Sequence, residues 1–143
     1  GPGTWERLMG RQMQSLGRSL AALDEGLEAM RCAAAELAKL ARAARSILAQ
    51  EARGASEARL REAGGGLPSV MDYIEGLEDL AAMHSREWEL KRAVAAEVRA
   101  GEGGDAPSAE LQRLFAGTPC IDAQGAQFIM DRGLVDVWDR RAV

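Results

Sequence analysis

Residues 9–48 read MGRQMQSLGRSLAALDEGLEAMRCAAAELAKLARAARSIL, and this stretch decides the fold. Twelve positions follow one another at alternating spacings of four and three residues, and all are apolar: Met9, Met13, Leu16, Leu20, Leu23, Leu27, Met30, Ala34, Leu37, Ala41, Ala44 and Leu48. This period of 3.5 residues is typical of an α-helix whose apolar seam must be covered by other helices. The pattern therefore predicts a long helix, and what covers its seam becomes the functional question.

The glycine and proline positions divide the rest of the chain. The expected segments, in order, are a tag remnant (1–3), the long heptad helix (4–62), a Gly/Pro hinge (63–68), a second long helix (69–100), and a loop with short helices and a packed tail (101–143). The first helix alternatively ends near Gly54. The predicted fold is all-α, a long antiparallel helical hairpin or coiled coil followed by short C-terminal helices.

Polar residues mark the starts of the later helices. Ser69 follows Pro68 and precedes Asp72 by three residues, which is the spacing of a capping box. Asp122 is expected to cap a further short helix. The second long helix has an expected apolar stripe formed by Val70, Ile74, Leu77, Ala81, His84, Trp88, Ala95 and Val98. The segment 134–138 alternates like a strand, but we expect a packed irregular or helical tail because the chain offers no partner strand.

The residues flanking the heptad seam lack the complementary charges of a two-stranded coiled coil. Towards the C-terminal half of the helix one flank becomes apolar, as at Leu40 and Ile47, which is typical of a face that contacts two or more helices. We therefore expect the second helix to cover part of the seam. The part nearest the N-terminus is expected to bind another protein, through Met9, Met13, Leu16 and Leu20.

Composition narrows the function class. The chain has 143 residues, 47% of them hydrophobic, and a formal net charge of -4. Binding to a phosphate backbone normally requires a surplus of positive charge, so we expect no direct nucleic-acid contact. No apolar run approaches the roughly 20 residues that span a bilayer, and no signal-peptide layout is present, so we expect a soluble, intracellular protein without a membrane partner. Cys32 and Cys120 are expected to be reduced thiols.

No pattern in the sequence favours an enzyme. His84 is the single histidine, so no His-His metal pair and no Cys-His-His zinc site can form within one chain. A Cys120 nucleophile would need a nearby base, for which His84 is the only histidine candidate, so we expect no such role. The glycines at 64–66 have neither the lysine nor the strand of a phosphate-binding loop. The acidic group around Glu78 lacks the ligand spacing of a calcium loop. We expect no catalytic residues, no metal and no cofactor.

One segment of the second helix resembles a known family. Met83-His84-Ser85-Arg86 leads into Leu90-Lys91-Arg92, then Val94-Ala95 and Glu97-Val98. This order is similar to the C-terminal region of the cyclin-dependent kinase 2-interacting protein family, where a basic block precedes a Val-Ala-x-Glu-Leu helix end and a Gly-Asp loop. The order of elements extends the resemblance over residues 9 to 134, although the aromatic residues that this family carries in its linker and short helix are reduced here to Phe115.

The resemblance implies a non-enzymatic adaptor of the nucleus and cytoplasm. It implies a helical partner in a hetero-oligomer, with a cyclin-dependent kinase or an AAA-ATPase complex as possible associates, acting in ribosome biogenesis or in DNA replication and its checkpoint. The residues expected to face a partner on the second helix are Arg86, Trp88, Lys91 and Arg92, because basic residues beside a tryptophan suit an interface rim around an aromatic anchor.

Two other classes remain open at this point. A homo-oligomeric structural coiled coil, as in a tethering, kinetochore or centrosomal complex, would keep the seam but would not need the Leu90-Lys91-Arg92 block. A regulatory domain of a larger enzyme is the third reading. The oligomeric state of the isolated chain distinguishes the hetero-oligomeric adaptor from the homo-oligomeric coiled coil.

Overall fold

The computed structural model describes residues 1–51, 56–62, 69–101 and 109–131. Four helices are α1 (Pro2–Glu51), α2 (Glu57–Leu60), α3 (Val70–Ala100) and α4 (Ala109–Ala116). A fifth, α5, is helical over the described residues 123–131. No strand occurs in these ranges. The two long helices α1 and α3 pack against each other, and short helices follow α3 along the chain. The predicted all-α fold is confirmed.

Two ion pairs between α1 and α3 fix an antiparallel hairpin. Arg45 Nε donates to Glu78 Oε1 at 2.5 Å and its Nη2 to Oε2 at 2.7 Å. At the other end, Arg99 Nη2 donates to Asp24 Oδ1 at 2.5 Å. A lower residue number on α1 therefore meets a higher one on α3, and the two helices stay in register between these pairs. These pairs are exposed, so they define the register more than they stabilise it.

Alanines bring the two long helices close together. Ala34 and Ala41 of α1 and Ala81 and Ala95 of α3 are buried. Small side chains at a helix contact allow a short interaxial distance. The larger heptad residues from Leu23 to Leu48 lie beside this contact and are only half-buried, because α3 covers one side of the seam.

The capping box at the start of α3 is present. The Ser69 backbone N–H donates to Asp72 Oδ2 at 2.8 Å, and the Asp72 N–H donates to Ser69 Oγ at 3.1 Å. The helix ends where the Gly101 N–H donates to Glu97 O at 3.1 Å. The α3 stripe differs from the expected one at its ends, because Val70 and Val98 are exposed.

The first helix does not run as one element to residue 62. It is described as far as Glu51, and a separate short helix, α2, follows Ser56. The Arg59 N–H donates to Ser56 Oγ at 3.3 Å, so this serine caps a new helix instead of continuing the old one. The helix also begins at Pro2, inside the segment set aside as a tag remnant.

A second packing centre joins α3 to α5. Leu80 and Met83 of α3 pack with Ala126, and Ile121 and Ile129 lie against this cluster. Asp122 caps α5, since its Oδ1 accepts the Gly125 N–H at 3.1 Å. The expected hinge (63–68), most of the expected loop and the expected tail lie outside the described residues. No described helix is long and apolar enough to cross a membrane.

Candidate partner-binding surfaces

In the described part of the chain, the hairpin register leaves the N-terminal part of α1 without a covering helix. α3 ends at Ala100, beside the Asp24–Arg99 pair, so α1 continues for residues 2–22 past the end of α3. We call residues 2–22 the arm. At 1.5 Å per residue the arm is about 30 Å long. Every described side chain in the arm is exposed.

One face of the arm is apolar. Trp5, Met9, Met13, Leu16 and Leu20 are between 38% and 65% exposed. At 3.6 residues per turn they fall within about 80° of one another around the helix axis. These five residues are defined here as the arm stripe. Four of them are the residues expected to bind a partner; their location is now clear, and their partner role stays a prediction.

An apolar cleft continues the arm stripe at its C-terminal end. It has a volume of about 280 Å³ and lies where α1, the end of α3 and α4 meet. Its apolar lining includes Leu23, Val94, Val98, Leu111 and Phe115. Leu23 is the next heptad position after Leu20, so the cleft and the arm stripe form one apolar surface.

Three of the four residues expected to face a partner on α3 reach the surface. Arg86 and Arg92 are exposed, and Trp88 is half-buried. The Arg92 guanidinium lies 5.4 Å from the centre of the Trp88 ring, a cation–π arrangement, and 3.7 Å from Glu89. This small surface is already satisfied within the chain, and its binding role stays a prediction.

Lys91 differs from these three residues, because it is buried and its charge does not reach the surface. The residue is 5% exposed and its Nζ lies 2.9 Å from Glu87 Oε1, one helical turn earlier. Nζ also donates to the carbonyls of Leu114, at 2.6 Å, and Gly117. These carbonyls belong to the end of α4, where helix geometry leaves them without an intrahelical donor. Lys91 therefore caps α4 from α3.

Glu87 completes this buried contact. It is 2% exposed, and its Oε2 accepts the Cys120 N–H at 2.9 Å. Burial by itself raises the pKa of Glu87, but the hydrogen bonds from Lys91 and Cys120 outweigh it, so the pKa lies below its ordinary value. We call Glu87, Lys91 and the 114–120 backbone that they bind the latch. Burial also raises the pKa of the Cys120 thiol, with Glu87 adding to the shift.

Trp5, Glu87 and the buried role of Lys91 were not predicted from the sequence. Trp5 lies four residues before Met9, a helical spacing that extends the arm stripe. Glu87 and Lys91 are four apart and lie between Met83 and Val94, so a charged pair inside an apolar face was the available signal. Nothing in the sequence indicates that the turn after α4 accepts and donates the hydrogen bonds that satisfy this pair.

The family of the chain follows from a match over almost its whole length. The sequence pattern of the ribosome biogenesis protein C1orf109-like family matches residues 2–135. The chain belongs to this family. The matched range includes the arm, the hairpin and the described C-terminal helices. Comparisons with curated proteins and with solved structures gave no match.

Membership of the C1orf109-like family corrects the earlier resemblance. The assignment to the cyclin-dependent kinase 2-interacting protein family is wrong, because the match over residues 2–135 is to a different family. The resemblance depended on the Leu90-Lys91-Arg92 block. In the structure this block contains a lysine that serves the latch, so its pattern reflects internal packing. The kinase and replication associations rested on the resemblance alone, whereas ribosome biogenesis agrees with the C1orf109-like family.

Proposed function

We propose that the protein is a non-enzymatic adaptor in ribosome biogenesis that binds a helical partner protein through the arm stripe. The observation that carries the proposal is the arm, which is about 30 Å long at a rise of about 1.5 Å per residue. Its apolar face is covered by no described residue. Contiguous exposed apolar surface on a soluble protein is typical of a binding site.

The shape of the arm favours a helix as the bound element. The arm stripe keeps the heptad spacing of the seam that α3 covers further along, so a second helix fits it by the same packing. The cleft beside Leu23 would take a bulky side chain at the end of that helix. The partner is proposed to be a different protein, which makes the assembly a hetero-oligomer. Family membership supports a nuclear or nucleolar location, where ribosomal subunits are first assembled.

Two matched double variants test the proposal. Met13→Gln with Leu16→Gln changes the arm stripe, and Leu40→Gln with Ile47→Gln changes two equally exposed apolar residues on the body of α1. In cells of the source organism, we expect wild type and the Leu40/Ile47 variant to co-sediment with pre-ribosomal particles and to support rRNA processing. The Met13/Leu16 variant should lose both. Retained co-sedimentation by the Met13/Leu16 variant would contradict the proposal.

The isolated chain supplies the second readout. Light scattering during size-exclusion chromatography should give a monomer at low micromolar concentration, because the bound partner is proposed to be another protein. A stable homodimer that the Met13/Leu16 variant abolishes would instead establish the homo-oligomeric reading.

A further inference from the structure

The face of the arm opposite the arm stripe carries three arginines. Arg7, Arg11 and Arg18 lie within about 40° of one another around the helix axis, and about 180° from the centre of the arm stripe. All three are exposed, and among the described residues none of them forms an ion pair. Elsewhere in the chain, Arg45 and Arg99 are paired with carboxylates. We call these three residues the arginine line.

The arginine line is confined to the arm. The next positions on the same side of α1 that carry charge are Glu25 and Glu36, both acidic. Residues 1–22 contain three arginines and one acidic residue, Glu6, whereas the whole chain has a net charge of -4. The arm is therefore positive and the remainder negative, a separation that the net charge conceals.

A recess between the first two arginines gives the line a shaped element. It has a volume of about 310 Å³ and is lined by Thr4, Arg7, Leu8 and Arg11. Arg7 Nε donates to Gly3 O at 2.8 Å, which holds its guanidinium along the helix. A guanidinium is planar and binds phosphate oxygens in a bidentate manner, and a threonine hydroxyl adds a further donor.

We infer that the arginine line binds the phosphate backbone of RNA while the arm stripe holds a protein. A membrane surface fits less well, because arginines diametrically opposite an apolar face point away from the headgroups when that face is inserted. The choice of RNA over an acidic protein rests on the proposed role in ribosome biogenesis; the surface itself does not depend on it.

Fluorescence anisotropy of the full chain with a labelled single-stranded RNA tests the inference. Three phosphate contacts give an affinity that falls with salt at a log–log slope of about -2. Arg7→Gln, Arg11→Gln and Arg18→Gln together should weaken binding at least about tenfold at low salt and flatten the slope. Glutamine keeps the helix, because its helix propensity is close to that of arginine, and circular dichroism verifies this.

The matched control is the triple variant Lys39→Gln, Arg42→Gln and Arg59→Gln. It removes three exposed cations that lie outside the arm and changes the net charge by the same amount. This variant should bind RNA like wild type. Equal loss in both triple variants would mean a bulk charge effect and would overturn the inference, as would absence of RNA binding. Two competitors complete the test: displacement of the RNA by polyglutamate would indicate an acidic protein site, and displacement by phosphatidylserine vesicles a membrane site.

The Met13/Leu16 variant separates this inference from the proposed function. It should bind RNA like wild type, because its substitutions leave the arginine line intact. Failure of RNA binding with retained co-sedimentation overturns only the arginine line. If the Arg7/Arg11/Arg18 variant loses co-sedimentation while its RNA binding is unchanged, the inference that the arginine line binds RNA is likewise overturned.

Discussion

Lys91 shows how the role of a single charged residue depends on its surroundings. A lysine next to an arginine on an amphipathic helix suggests a solvated pair, and Arg92 is indeed exposed. Lys91 instead turns inwards, where Glu87 and two carbonyls of the α4 end surround its ammonium. A buried ion pair offsets the cost of removing both charges from water only when its remaining hydrogen bonds are satisfied. In the latch, Lys91 Nζ donates to two backbone carbonyls and Glu87 Oε2 accepts the Cys120 N–H, while Glu87 Oε1 has the ion pair with Lys91 and no hydrogen-bond partner among the described residues.

Removing the lysine should be worse than removing both charges. We expect Lys91→Met to lower the free energy of unfolding by about 3 to 5 kcal/mol, because it leaves a buried carboxylate unpaired. The Glu87→Leu, Lys91→Met double variant should recover part of this loss. Urea unfolding measures both, and the exposed Arg92→Met serves as the control. An equal cost for the single and the double variant would contradict the latch as described.

A loosened latch should also expose Cys120, whose backbone N–H is bound by Glu87. In a Cys32→Ala background Cys120 is the remaining thiol. Its labelling by a thiol reagent should be faster in the Lys91→Met variant than in the Arg92→Met variant.

The pH dependence of stability follows from the lowered pKa of Glu87. Because the folded-state pKa lies below the unfolded value near 4.5, the unfolded state binds the proton more readily. The contribution of Glu87 is therefore present above pH 4.5 and is lost as the pH falls through the folded-state pKa. Unfolding free energies measured from pH 7 downwards should fall less steeply below about pH 4.5 in Glu87→Gln than in wild type. Parallel curves for wild type and Glu87→Gln would mean that protonation of Glu87 does not contribute to the pH dependence of stability.

At the scale of elements, α1 has two parts with different environments. From Leu23 onwards the heptad residues have α3 beside them, and before Leu23 they face solvent. The change of environment occurs where α3 ends and not at any change in the heptad. The seam of one continuous helix is thus internal packing along its second half and a candidate docking surface along its first.

A close approach between α3 and α5 depends on a glycine. A Cβ at Gly76 would lie 3.0 Å from Ile129 Cγ2, whereas a Cβ at Gly26 of α1 would meet nothing within 4 Å. Gly26→Ala should therefore raise the unfolding free energy by up to about 1 kcal/mol through helix propensity. Gly76→Ala should give no such gain, because the methyl group pushes α5 away from the Leu80–Met83 cluster.

A double-mutant cycle distinguishes this steric effect from a backbone effect. In an Ile129→Ala background the penalty at Gly76 should disappear, and Gly76→Ala should then behave like Gly26→Ala. Urea unfolding gives the free energies, and hydrogen exchange of residues 123–131 reports the position of α5. A penalty at Gly76 that persists in the Ile129→Ala background would contradict the contact as its cause.

At the scale of the whole molecule, the chain exposes far more surface than a compact protein. Its accessible surface is 10651 Å², compared with about 7,100 Å² for a compact monomer of its mass. Most of its buried apolar residues are small or medium in size, as at Ala34, Ala41 and Val94. A structure with this balance gains more from binding a partner than a compact domain would.

Small-angle X-ray scattering should detect this extension. A compact domain of 143 residues has a radius of gyration of about 14.5 Å. A 50-residue helix alone is about 75 Å long, so we expect roughly 20 Å or more for the monomer. A value near 15 Å would mean that the arm folds back on the body in solution.

The sequence by itself determined the helical class, the long seam, the Ser69 capping box and the Asp122 cap, because these depend on residues a few positions apart. It also predicts that Met9, Met13, Leu16 and Leu20 bind a partner, and this role stays a prediction. Only the tertiary structure decided where α3 ends against α1, and hence that no described residue outside α1 covers residues 2–22. It also decided that Lys91 is buried, because the groups that satisfy its charge lie 23 to 26 residues away at the end of α4. The arginine line follows from the helical spacing of Arg7, Arg11 and Arg18 along α1, so the sequence already places it on one face, although the net charge of the whole chain conceals it. The tertiary structure adds where α3 ends, and therefore that no described helix lies beside these arginines.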